Sequence, residues 1–501
     1  MSDDLAALTA LRRFGLGPRR GDLARIRSDP RGALIEELAQ PATARLEDTS
    51  LPGSQQALAR NAAYQRAVTR ARQQKAPVAE AARATSVALR APAERAPGGS
   101  MEAASGGMAT PPAGMATPPV GMAAPSMGGN GLGPSPDVPV YEQEVAARLI
   151  RLHDVPVGFT ERLVLFWANH FAIALKDGTV RILAGAFERE AIRPHVLGRF
   201  ADMLKAVEQH PAMLFYLDNN QSAGPASNVA LKNRRGLNEN LARETLELHT
   251  LGVAGGYSQA DVTSLARILT GWTVASADED AFNGGRFTFA PVRHEPGEQT
   301  LLGHVYPEGG VEQGEAALLA LAAHPATARH IARKFAAHFV GDDPPPALVD
   351  RLAASFRTSG GDLKELARSL IESPQAWEAP ADKLRSPQEF LFAAVRLTGK
   401  PDQVKMALGQ LVAMGQPMWN PGSPKGFPDR SDEWLSPTGI KTRLDVADQI
   451  GRIAGAADPL ELAEAAFGAS VSQETLRAIR RAESRPQAVA LLLMVPEFQR
   501  R

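Results

Sequence analysis

The sequence predicts a mainly α-helical, multi-helix globular domain with a small β-hairpin element and a disordered low-complexity insertion. From Val138 onward, apolar residues recur at the spacing of amphipathic helices through most of the chain. One segment, GGRFTFAPVRH at 284–294, alternates as a strand does, and we expect it to pair with TLLGHVY at 300–306. A GMATPP repeat within 97–136 has almost no charged or aromatic residue, and too little apolar surface to offset the entropy of ordering.

Composition limits the classes of function. The 501 residues suffice for one large helical domain plus an insertion, and 44% hydrophobic with 22% charged residues is typical of a globular protein. The 55 basic and 55 acidic side chains balance, so net charge gives no reason to expect nucleic acid or an anionic membrane as a partner. Because cysteine is absent, disulfides, thiolate metal sites and cysteine nucleophiles are excluded.

Targeting signals are absent from the sequence as written. There is no run of about 18 apolar residues, so we expect no membrane-spanning helix. Arg12 and Arg13 interrupt the N-terminal apolar residues before they reach the length of a signal peptide, and no apolar run follows Arg19-Arg20. We therefore predict a cytoplasmic protein. The alternative is export with a partner or from a longer start.

The chain divides into three zones. Residues 1–45 hold short helical patterns of the main domain, and residues 137–501 form the rest of that domain. Residues 46–136 are an insertion, rich first in Ala and Arg and then in Met, Pro and Gly, and we expect most of it to be disordered. Its basic, Ala-rich first half has the composition of a helix. This half is interpreted either as a contact arm for a partner or nucleic acid or, as we favour, as a solvated surface insertion.

Local start signals delimit several helices of the main domain. TERLVLFWANHFAI at 160–173 places its aromatic residues on one helical face. In HPAMLFYLDNN at 210–220, Pro211 follows His210. Proline is favoured in the first turn of a helix, so we expect a helix to start here. Ser258, followed three residues later by Asp261, has the spacing of a capping box.

The segment GLNENLARETLELHTLGV at 236–253 is the leading candidate for a site. On a regular α-helix, Asn240, Glu244 and Glu247 share a narrow sector beside an apolar stripe, where acids are costly without partners. His249 projects almost opposite, so a metal bound by the two glutamates needs its histidine from another segment. We predict Glu244 and Glu247 as metal ligands or general acid and base, with Asn240 as an orienting group.

An ordinary helix explains the same residues. Arg243 has Glu247 four residues later and Glu239 four residues earlier, which is the spacing of helical ion pairs. Asn238 or Asn240 is suited to cap the helix. The segment is therefore interpreted either as a functional site or as an ordinary helix with ion pairs, which we call the structural interpretation.

Histidines from other segments are needed to complete a metal site. His170 lies on an apolar helix face and His195 lies among charged residues; we predict both as candidate metal ligands, with a hydrogen-bonded core histidine as the alternative for His170. His210 and His324 each precede a proline at a helix start, where we expect them to cap or pack.

Compact catalytic signatures are missing. His330, Lys334 and His338 follow one helix face, but a lysine between two histidines makes a poor cation site. The sequence contains no His-Glu-x-x-His, Gly-x-Ser-x-Gly, P-loop or dinucleotide fingerprint. These absences argue against the commonest hydrolases, NTPases and dehydrogenases.

Two loops carry residues suited to a ligand. LDNNQS at 217–222 supplies Asp218, which we predict as a second orienting group, although such polar runs often only form turns. GQPMWNPGSPKGFPDRSDEWLSP at 415–437 is long and irregular, as functional loops often are. Its Trp419 and Trp434, with acids such as Asp429, either line a carbohydrate or peptide groove or fill the core.

A series of motifs in a fixed order gives the chain a family resemblance. The motifs include FGLGPRRGDL, ERLVLFWANHFAI, EREAIRPHVLGRFADML, HPAMLFYLDNNQS, GLNENLARETLELHTLGVAGGYSQADV, KFAAHFVGDDPPPALV and GQPMWNPGSPKGFPD. The chain resembles the bacterial family known as domain of unknown function 1800, over nearly its whole length apart from the insertion. The resemblance implies a helical bacterial protein with no established activity. Family members commonly lie beside a partner that looks like the alkaline-phosphatase/sulfatase superfamily, and many are exported, whereas this chain shows no recognisable signal.

Two classes of function remain. The first is a non-enzymatic partner or maturation protein for a co-encoded protein resembling that superfamily. The second is a metal-assisted hydrolase or oxidase acting on an envelope polymer, with a Glu/Asn/His site where helix 236–251 faces helix 160–173. A divalent metal is the cofactor that the second class requires. Neither the substrate nor the occurrence of catalysis follows from the sequence.

Overall fold

The chain is mainly helical, as predicted. The structure, a computed structural model, describes residues 3–40, 44–88, 133–233, 236–276, 284–399, 403–455 and 457–501. The GMATPP repeats lie outside the described residues. Two compact units are distinguished, one formed by residues 1–59 with 137–501 and the other by residues 60–136.

Twelve α-helices precede the short strands among the described residues. They are α1 (Asp3–Thr9), α2 (Asp22–Ile26), α3 (Pro30–Ala39), α4 (Ser54–Ala88), α5 (Asp137–Asp154), α6 (Phe159–His170), α7 (Gly178–Phe187), α8 (Phe200–Glu208), α9 (Pro211–Tyr216), α10 (Asn228–Asn233), α11 (Asn240–Glu244) and α12 (Gln259–Ile268). π-helical turns occur at Ala10–Phe14, Glu188–Ile192 and Thr245–His249.

The C-terminal half of the described chain is also helical. It contains α13 (Val311–Ala323), α14 (Pro325–Phe339), α15 (Pro346–Thr358), α16 (Leu363–Glu372), α17 (Pro374–Glu378), α18 (Pro387–Thr398), α19 (Val404–Ala413), α20 (Pro437–Ala454), α21 (Pro459–Phe467), α22 (Gln473–Arg480), α23 (Arg485–Met494) and α24 (Pro496–Gln499). Short 3₁₀ turns lie at Arg193–His195, Asn219–Gln221, Pro291–Arg293, Asp432–Trp434 and Gly468–Ser470. None of the described helices combines the length and the apolar character needed to cross a bilayer.

Helix starts follow local signals in the sequence. In many helices a proline lies in the first turn, and the side chain of the preceding N-cap residue accepts a backbone N–H. His210 and His324 act in this way: each Nδ1 accepts the N–H two residues later, at 3.1 and 3.2 Å. The capping role predicted for both histidines is therefore confirmed, and so is the capping box of Ser258 and Asp261.

In the part of the chain that the structure describes, four short strands form two separate two-stranded sheets, and the predicted pairing is wrong. β2 (Phe287–Phe289) pairs antiparallel with β1 (Trp272–Val274). β3 (Gln299–Leu301) and β4 (His304–Tyr306) pair with each other. Leu302 and Gly303 have φ values of 52° and 76°, the left-handed conformation of a tight hairpin turn. Because this turn closes β3 on β4, β2 takes its partner from the preceding segment.

Helix α6 lies at the centre of the core and packs against α14. Phe166 and Phe335 meet edge to face with ring centroids 5.3 Å apart, and Phe159 and Phe339 meet at 5.6 Å. Trp167 is fully buried. These contacts fix the C-terminal turn of α6 relative to the polar face of α14, where the candidate site lies.

Four buried charged residues, which we call the ionic network, link α5, α6 and the turn after α7. Arg193 lies 2.8 Å from Glu161 and 2.9 Å from Glu188. Arg148 lies 3.1 Å from Glu188. Trp419 donates its Nε1–H to Glu188 at 3.0 Å and is only 8% exposed. Trp419 is therefore a core residue, and it also lines a small pocket beside Glu188.

Candidate functional site

The predicted site segment begins as α11 and then changes helix type. After Glu244 the backbone enters the π-helix Thr245–His249, so the expectation of one regular α-helix is wrong. The Thr250 hydroxyl donates to the Thr245 carbonyl at 2.6 Å, five residues back, and closes the wide turn. Single π-turns inside helices are frequent at functional sites. The physical effect here is to present the His249 carbonyl to α6.

His249 points into the core, away from solvent. Its Nδ1 lies 2.7 Å from a carboxylate oxygen of Glu208, and both side chains are fully buried. Its carbonyl accepts a hydrogen bond from His170 Nε2 at 3.1 Å. The π-turn is therefore held at both its side chain and its backbone, and it anchors the C-terminal end of α6.

Glu244 and Glu247, the predicted metal ligands or acid–base pair, are half-buried. Arg243 lies 3.1 Å from Glu239 and 3.6 Å from Glu247, so the ion pairs of the structural interpretation are present. Among the described residues Glu244 has no ion pair. Burial raises the pKa of Glu244, and the nearby Glu247 raises it further although His249 opposes the shift. Of the two carboxylates, only Glu247 therefore has an ion pair among the described residues.

The two predicted orienting groups have other partners. Asp218 pairs with Lys176 at 2.6 Å. Asn240 is exposed, and its backbone N–H donates to Asn238 Oδ1 at 2.8 Å. The Asn238 amide also donates to the Asp218 carbonyl at 3.3 Å. The 217–222 loop therefore contacts the segment through backbone and amide groups, not through the predicted carboxylate.

The predicted metal site lacks a cluster of ligands. His195 is half-buried in the 3₁₀ turn Arg193–His195, and its described contacts include no other candidate. Within the described part of the chain, no three His, Asp or Glu side chains are grouped so that they could hold one metal ion. The assignment of Glu244, Glu247, His170 and His195 to a metal stays a prediction from the sequence.

His170 ends α6 and has hydrogen bonds at both ring nitrogens. Nε2 faces the His249 carbonyl, and Nδ1 lies 3.0 Å from Lys334 Nζ on α14. Burial, aided by Lys334, holds the pKa of His170 well below its usual range, so the ring is neutral at pH 7. A neutral ring has one N–H, which Nε2 donates to the carbonyl, and Nδ1 then accepts from Lys334. In this arrangement neither nitrogen presents a lone pair to a metal.

His338, one helical turn beyond Lys334, pairs with Asp429 from the 415–437 loop. Its Nδ1 lies 3.0 Å from the Asp429 carboxylate, and its Nε2 is buried without a hydrogen-bond partner among the described residues. Burial would raise the pKa of Asp429, but His338 and Lys383 lower it to about 2. Burial lowers the pKa of His338 although Asp429 opposes the shift. The pair is thus an ionised carboxylate that orients a neutral imidazole.

A cavity of about 120 Å³ lies between α6, α14 and the 415–437 loop. We call His170, Lys334, His338 and Asp429, which line it, the cavity group. Phe166, Asn169 and Ala337 complete the wall.

The amide of Asn169 holds the 415–437 loop over the cavity. It accepts the Phe427 N–H at 2.8 Å and donates to the Phe427 carbonyl at 2.9 Å. Gly426 has φ 82°, and a Cβ there would lie 2.4 Å from the Asn169 carbonyl. Only glycine fits this close approach. We call this contact of Asn169 with 426–427 the clasp.

The cavity and nearly the whole fold lie within one family match. Residues 9–500 match the family model described as "Protein of unknown function (DUF1800)". The chain belongs to the DUF1800 family. No match to a curated protein or to a solved structure was found. The match confirms the resemblance carried by the motifs, and every member of the cavity group of this DUF1800 protein falls inside it.

Sequence reasoning found the members of the cavity group but did not join them. The stripe of His330, Lys334 and His338 was recognised on one helix face and interpreted as a poor cation site. Asp429 was recognised in the 415–437 loop of this DUF1800 chain. Only the fold brings Asp429 to His338, since 91 residues separate them along the chain.

Proposed function

We propose that this DUF1800 protein is an enzyme that carries out acid–base chemistry on a small polar group held in the cavity between α6, α14 and the 415–437 loop. One observation carries the proposal: Asp429 orients the Nδ1 side of His338, whose Nε2 is buried without a partner among the described residues. His338 also lines the cavity, so its imidazole is the group we propose to act on a ligand bound there.

His338 has the features of a general base. A carboxylate on Nδ1 fixes the ring orientation and stabilises the imidazolium that forms when Nε2 accepts a proton. Because burial lowers the pKa of His338, the ring is neutral and ready to accept a proton at pH 7. Asp429 is itself held by Lys383, whose Nζ donates to the Asp429 carbonyl at 2.6 Å. The orientation of the pair is therefore fixed by a third residue.

Lys334 supplies a cationic or hydrogen-bonding group on the same wall. Its Nζ donates to His170 Nδ1, and His170 is in turn fixed by the His249 carbonyl. A preorganised donor of this kind can stabilise negative charge that develops on a substrate oxygen. The cavity therefore combines a base with a hydrogen-bond donor.

The size of the cavity limits what it accepts. A volume of about 120 Å³ corresponds to roughly four water molecules, since each occupies about 30 Å³ in the liquid. Pockets for drug-sized ligands begin at roughly 300 Å³. The proposal is therefore for a small substrate, or for one small group of a larger substrate admitted when the 415–437 loop moves.

A panel of chromogenic esters, phosphate esters and glycosides tests the proposal. We expect turnover of at least one class by the wild-type chain, with kcat lowered about 10²-fold or more by His338→Gln, because general bases contribute that much. Asp429→Asn should lower the same rate by at least about tenfold. His304→Gln, an exposed histidine on β4, is the matched control and should leave the rate unchanged. Turnover that survives His338→Gln, or turnover of no substrate in the panel, would contradict the proposal.

A partner role is the second candidate, and an exposed apolar edge at the start of α20 supports it. Leu435, Ile440 and Leu444 are 50%, 45% and 48% exposed. Ile440 and Leu444 are four residues apart and so share one helix face. Exposed apolar side chains that adjoin one another often mark a protein-binding surface. The partner proposed here is the co-encoded protein that looks like the alkaline-phosphatase/sulfatase superfamily.

Co-expression with that neighbour tests the partner role. We expect the two proteins to co-elute on size-exclusion chromatography and to separate when Ile440→Asp and Leu444→Asp are introduced. Leu319→Asp on α13, which changes an even more exposed leucine, is the control and should leave the complex intact. Separate elution of the unmodified proteins would end this candidate.

A further inference from the structure

Lys334 differs from Lys383, another lysine near the cavity, in having no ion pair among the described residues. Lys383 is 2% exposed, and its Nζ lies 2.9 Å from Asp342 and 3.4 Å from the Asp429 carboxylate. No described carboxylate lies within 4.0 Å of Lys334 Nζ, and its hydrogen bond goes to His170 Nδ1. A half-buried ammonium without a carboxylate is poorly stabilised, whereas a neutral amine in the same place is not.

We infer that Lys334 is an amine nucleophile that forms an imine with the carbonyl group of a small aldehyde or ketone. The inference rests on the proposed function, because it uses the same cavity and the same base. Three features of the geometry support it: Lys334 Nζ has no ion pair with a described carboxylate, Lys334 lines a cavity, and His338 follows on the same helix face. Nucleophilic lysines are activated in this way, by removal from water and from carboxylates.

The protonation state of Lys334 agrees with this role. Burial lowers the pKa of Lys334 to about 8, against the opposing effect of Asp429. At pH 7 about a tenth of the side chain is then the free amine, compared with less than about a thousandth for a lysine with an unperturbed pKa near 10.4. The neutral His170 ring accepts one N–H of the amine and leaves the nitrogen lone pair for the substrate.

The reaction balances without another reactant. The Nζ lone pair attacks the carbonyl carbon, a C–N bond forms, and the C=O electron pair moves to oxygen. His338 Nε2 accepts a proton from nitrogen and returns it to that oxygen, which gives a neutral carbinolamine. Loss of the second N–H proton to the departing hydroxyl, again through His338, releases one water and forms C=N. Amine plus carbonyl thus gives imine plus water, and His338 ends as it began.

The shape of the cavity sets the class of carbonyl compound. With room for roughly four waters, it accepts a carbonyl compound of about three to six non-hydrogen atoms. Phe166 and Ala337 supply an apolar wall, and Asn169 supplies polar atoms. Small 2-oxo acids and short aldehydes have this size.

Reductive trapping on the full chain tests the inference. The protein is incubated separately with pyruvate, glyoxylate and acetaldehyde in the presence of sodium cyanoborohydride, and modified lysines are located by peptide mass spectrometry. We expect at least one probe to label Lys334 at least about tenfold faster than Lys441, which is 74% exposed, because Lys334 has the larger free-amine fraction at pH 7. Lys383, which is held by two carboxylates, should stay unlabelled.

Two variants control for folding and for the base. Lys334→Arg keeps the charge, cannot form an imine, and should lose the label at position 334 while its circular dichroism and unfolding midpoint stay near those of the wild type. His338→Gln should slow labelling of Lys334 by about tenfold or more. If Lys334 is labelled no faster than Lys441 by any of the three probes, the inference is overturned.

The outcomes separate this inference from the proposed function. Labelling of Lys334 that His338→Gln does not slow supports the lysine as nucleophile and contradicts His338 as its base. Absence of preferential labelling, together with loss of chromogenic turnover in His338→Gln, overturns the imine and supports the acid–base enzyme.

Discussion

The ionic network and the cavity group are both clusters of ionisable side chains, yet they differ in how their charged groups are paired. In the ionic network each carboxylate has two guanidinium partners: Glu161 contacts Arg193 and Arg151, and Glu188 contacts Arg193 and Arg148. In the cavity group, a lysine has no counter-ion and a histidine nitrogen has no partner among the described residues.

The difference shows how buried charge can serve two ends. Charges taken out of water are tolerated when opposite charges and hydrogen bonds surround them, and such a set joins helices. Titratable groups left partly unpartnered beside a cavity reduce stability, and such groups cluster at sites of binding and catalysis. The first set therefore explains the fold, and the second set is where function is to be sought.

The largest expected effect comes from breaking the ionic network. Arg193→Met should lower the free energy of unfolding by about 3–5 kcal/mol, because it leaves Glu161 and Glu188 with too little positive charge in the core. Urea unfolding followed by circular dichroism measures this. Arg329→Met breaks the exposed pair with Asp350 and should change stability by less than about 1 kcal/mol. Equal effects of the two substitutions would show that burial of the network is unimportant.

The clasp beside the cavity group should be the next most sensitive feature. Gly426→Ala should destabilise by about 2–3 kcal/mol, because its Cβ would meet the Asn169 carbonyl at 2.4 Å and because φ is 82°. Gly422→Ala in the same loop is the control, since a Cβ there meets nothing within 4 Å, and we expect a change below about 0.5 kcal/mol. Urea unfolding of both variants gives the comparison. Similar midpoints for both would mean that the clasp does not hold the loop.

Substitution of Lys383 and of Lys334 should change the free energy of unfolding in opposite directions. Lys383→Met should cost about 2 kcal/mol, because two carboxylates lose their partner. Lys334→Met should stabilise the protein by about 1 kcal/mol at pH 7, a value already reduced for partial exposure. Urea unfolding at pH 7 measures both changes, and a loss of stability in both variants would contradict the distinction.

The gain from Lys334→Met should depend on pH. The folded pKa of about 8 lies below the ordinary lysine pKa of 10.5, so protonation of Lys334 opposes folding most strongly below pH 8. The wild-type chain recovers stability as pH rises from 8 to 10.5. The gain should therefore be complete at pH 7 and smaller at pH 10, and a gain that is equal at both values would show that the titration of Lys334 is not its cause.

The smallest expected effect is the change in stability at acid pH that follows protonation of Asp429 in its pair with His338. The folded pKa of Asp429, about 2, lies below the ordinary aspartate pKa of 3.8. Its charge therefore stabilises the fold above pH 3.8, and that stabilisation is lost as pH falls through 2. Asp429→Asn should cost about 1 kcal/mol at pH 5, since the side chain is 37% exposed. The difference between the variant and the wild type should shrink between pH 4 and pH 2. A difference that stays constant over this range would argue against the ionised pair.

Local signals made much of the fold predictable. Proline behind Ser, Asp or His marks helix starts because the cap and the fixed φ act within a few residues. The hairpin pairing was wrong because the partner of β2 precedes it in the chain, and strand alternation does not encode the partner. The π-turn at Thr245–His249 also has no local signal, since it depends on the contact of His249 with Glu208.

The site was only partly predictable for a related reason. His170 was identified, and so was the helical face that carries Lys334 and His338. Joining them to Asp429 requires knowing that a loop near residue 429 folds over α14. A single sequence supplies the residues of such a cluster but not the distances between them. The acids of 236–253 are predicted as a site because they lie close together in the sequence.

The clasp also has a consequence for timing. Both hydrogen bonds of the Asn169 amide must break before the 415–437 loop can leave the cavity mouth. Loop openings of this kind occur on microsecond to millisecond scales and often set the turnover of an enzyme. The rate at which the loop moves away from α6 would then depend on the breaking of one pair of amide hydrogen bonds. The clasp would thus control how fast the loop moves as well as where it lies.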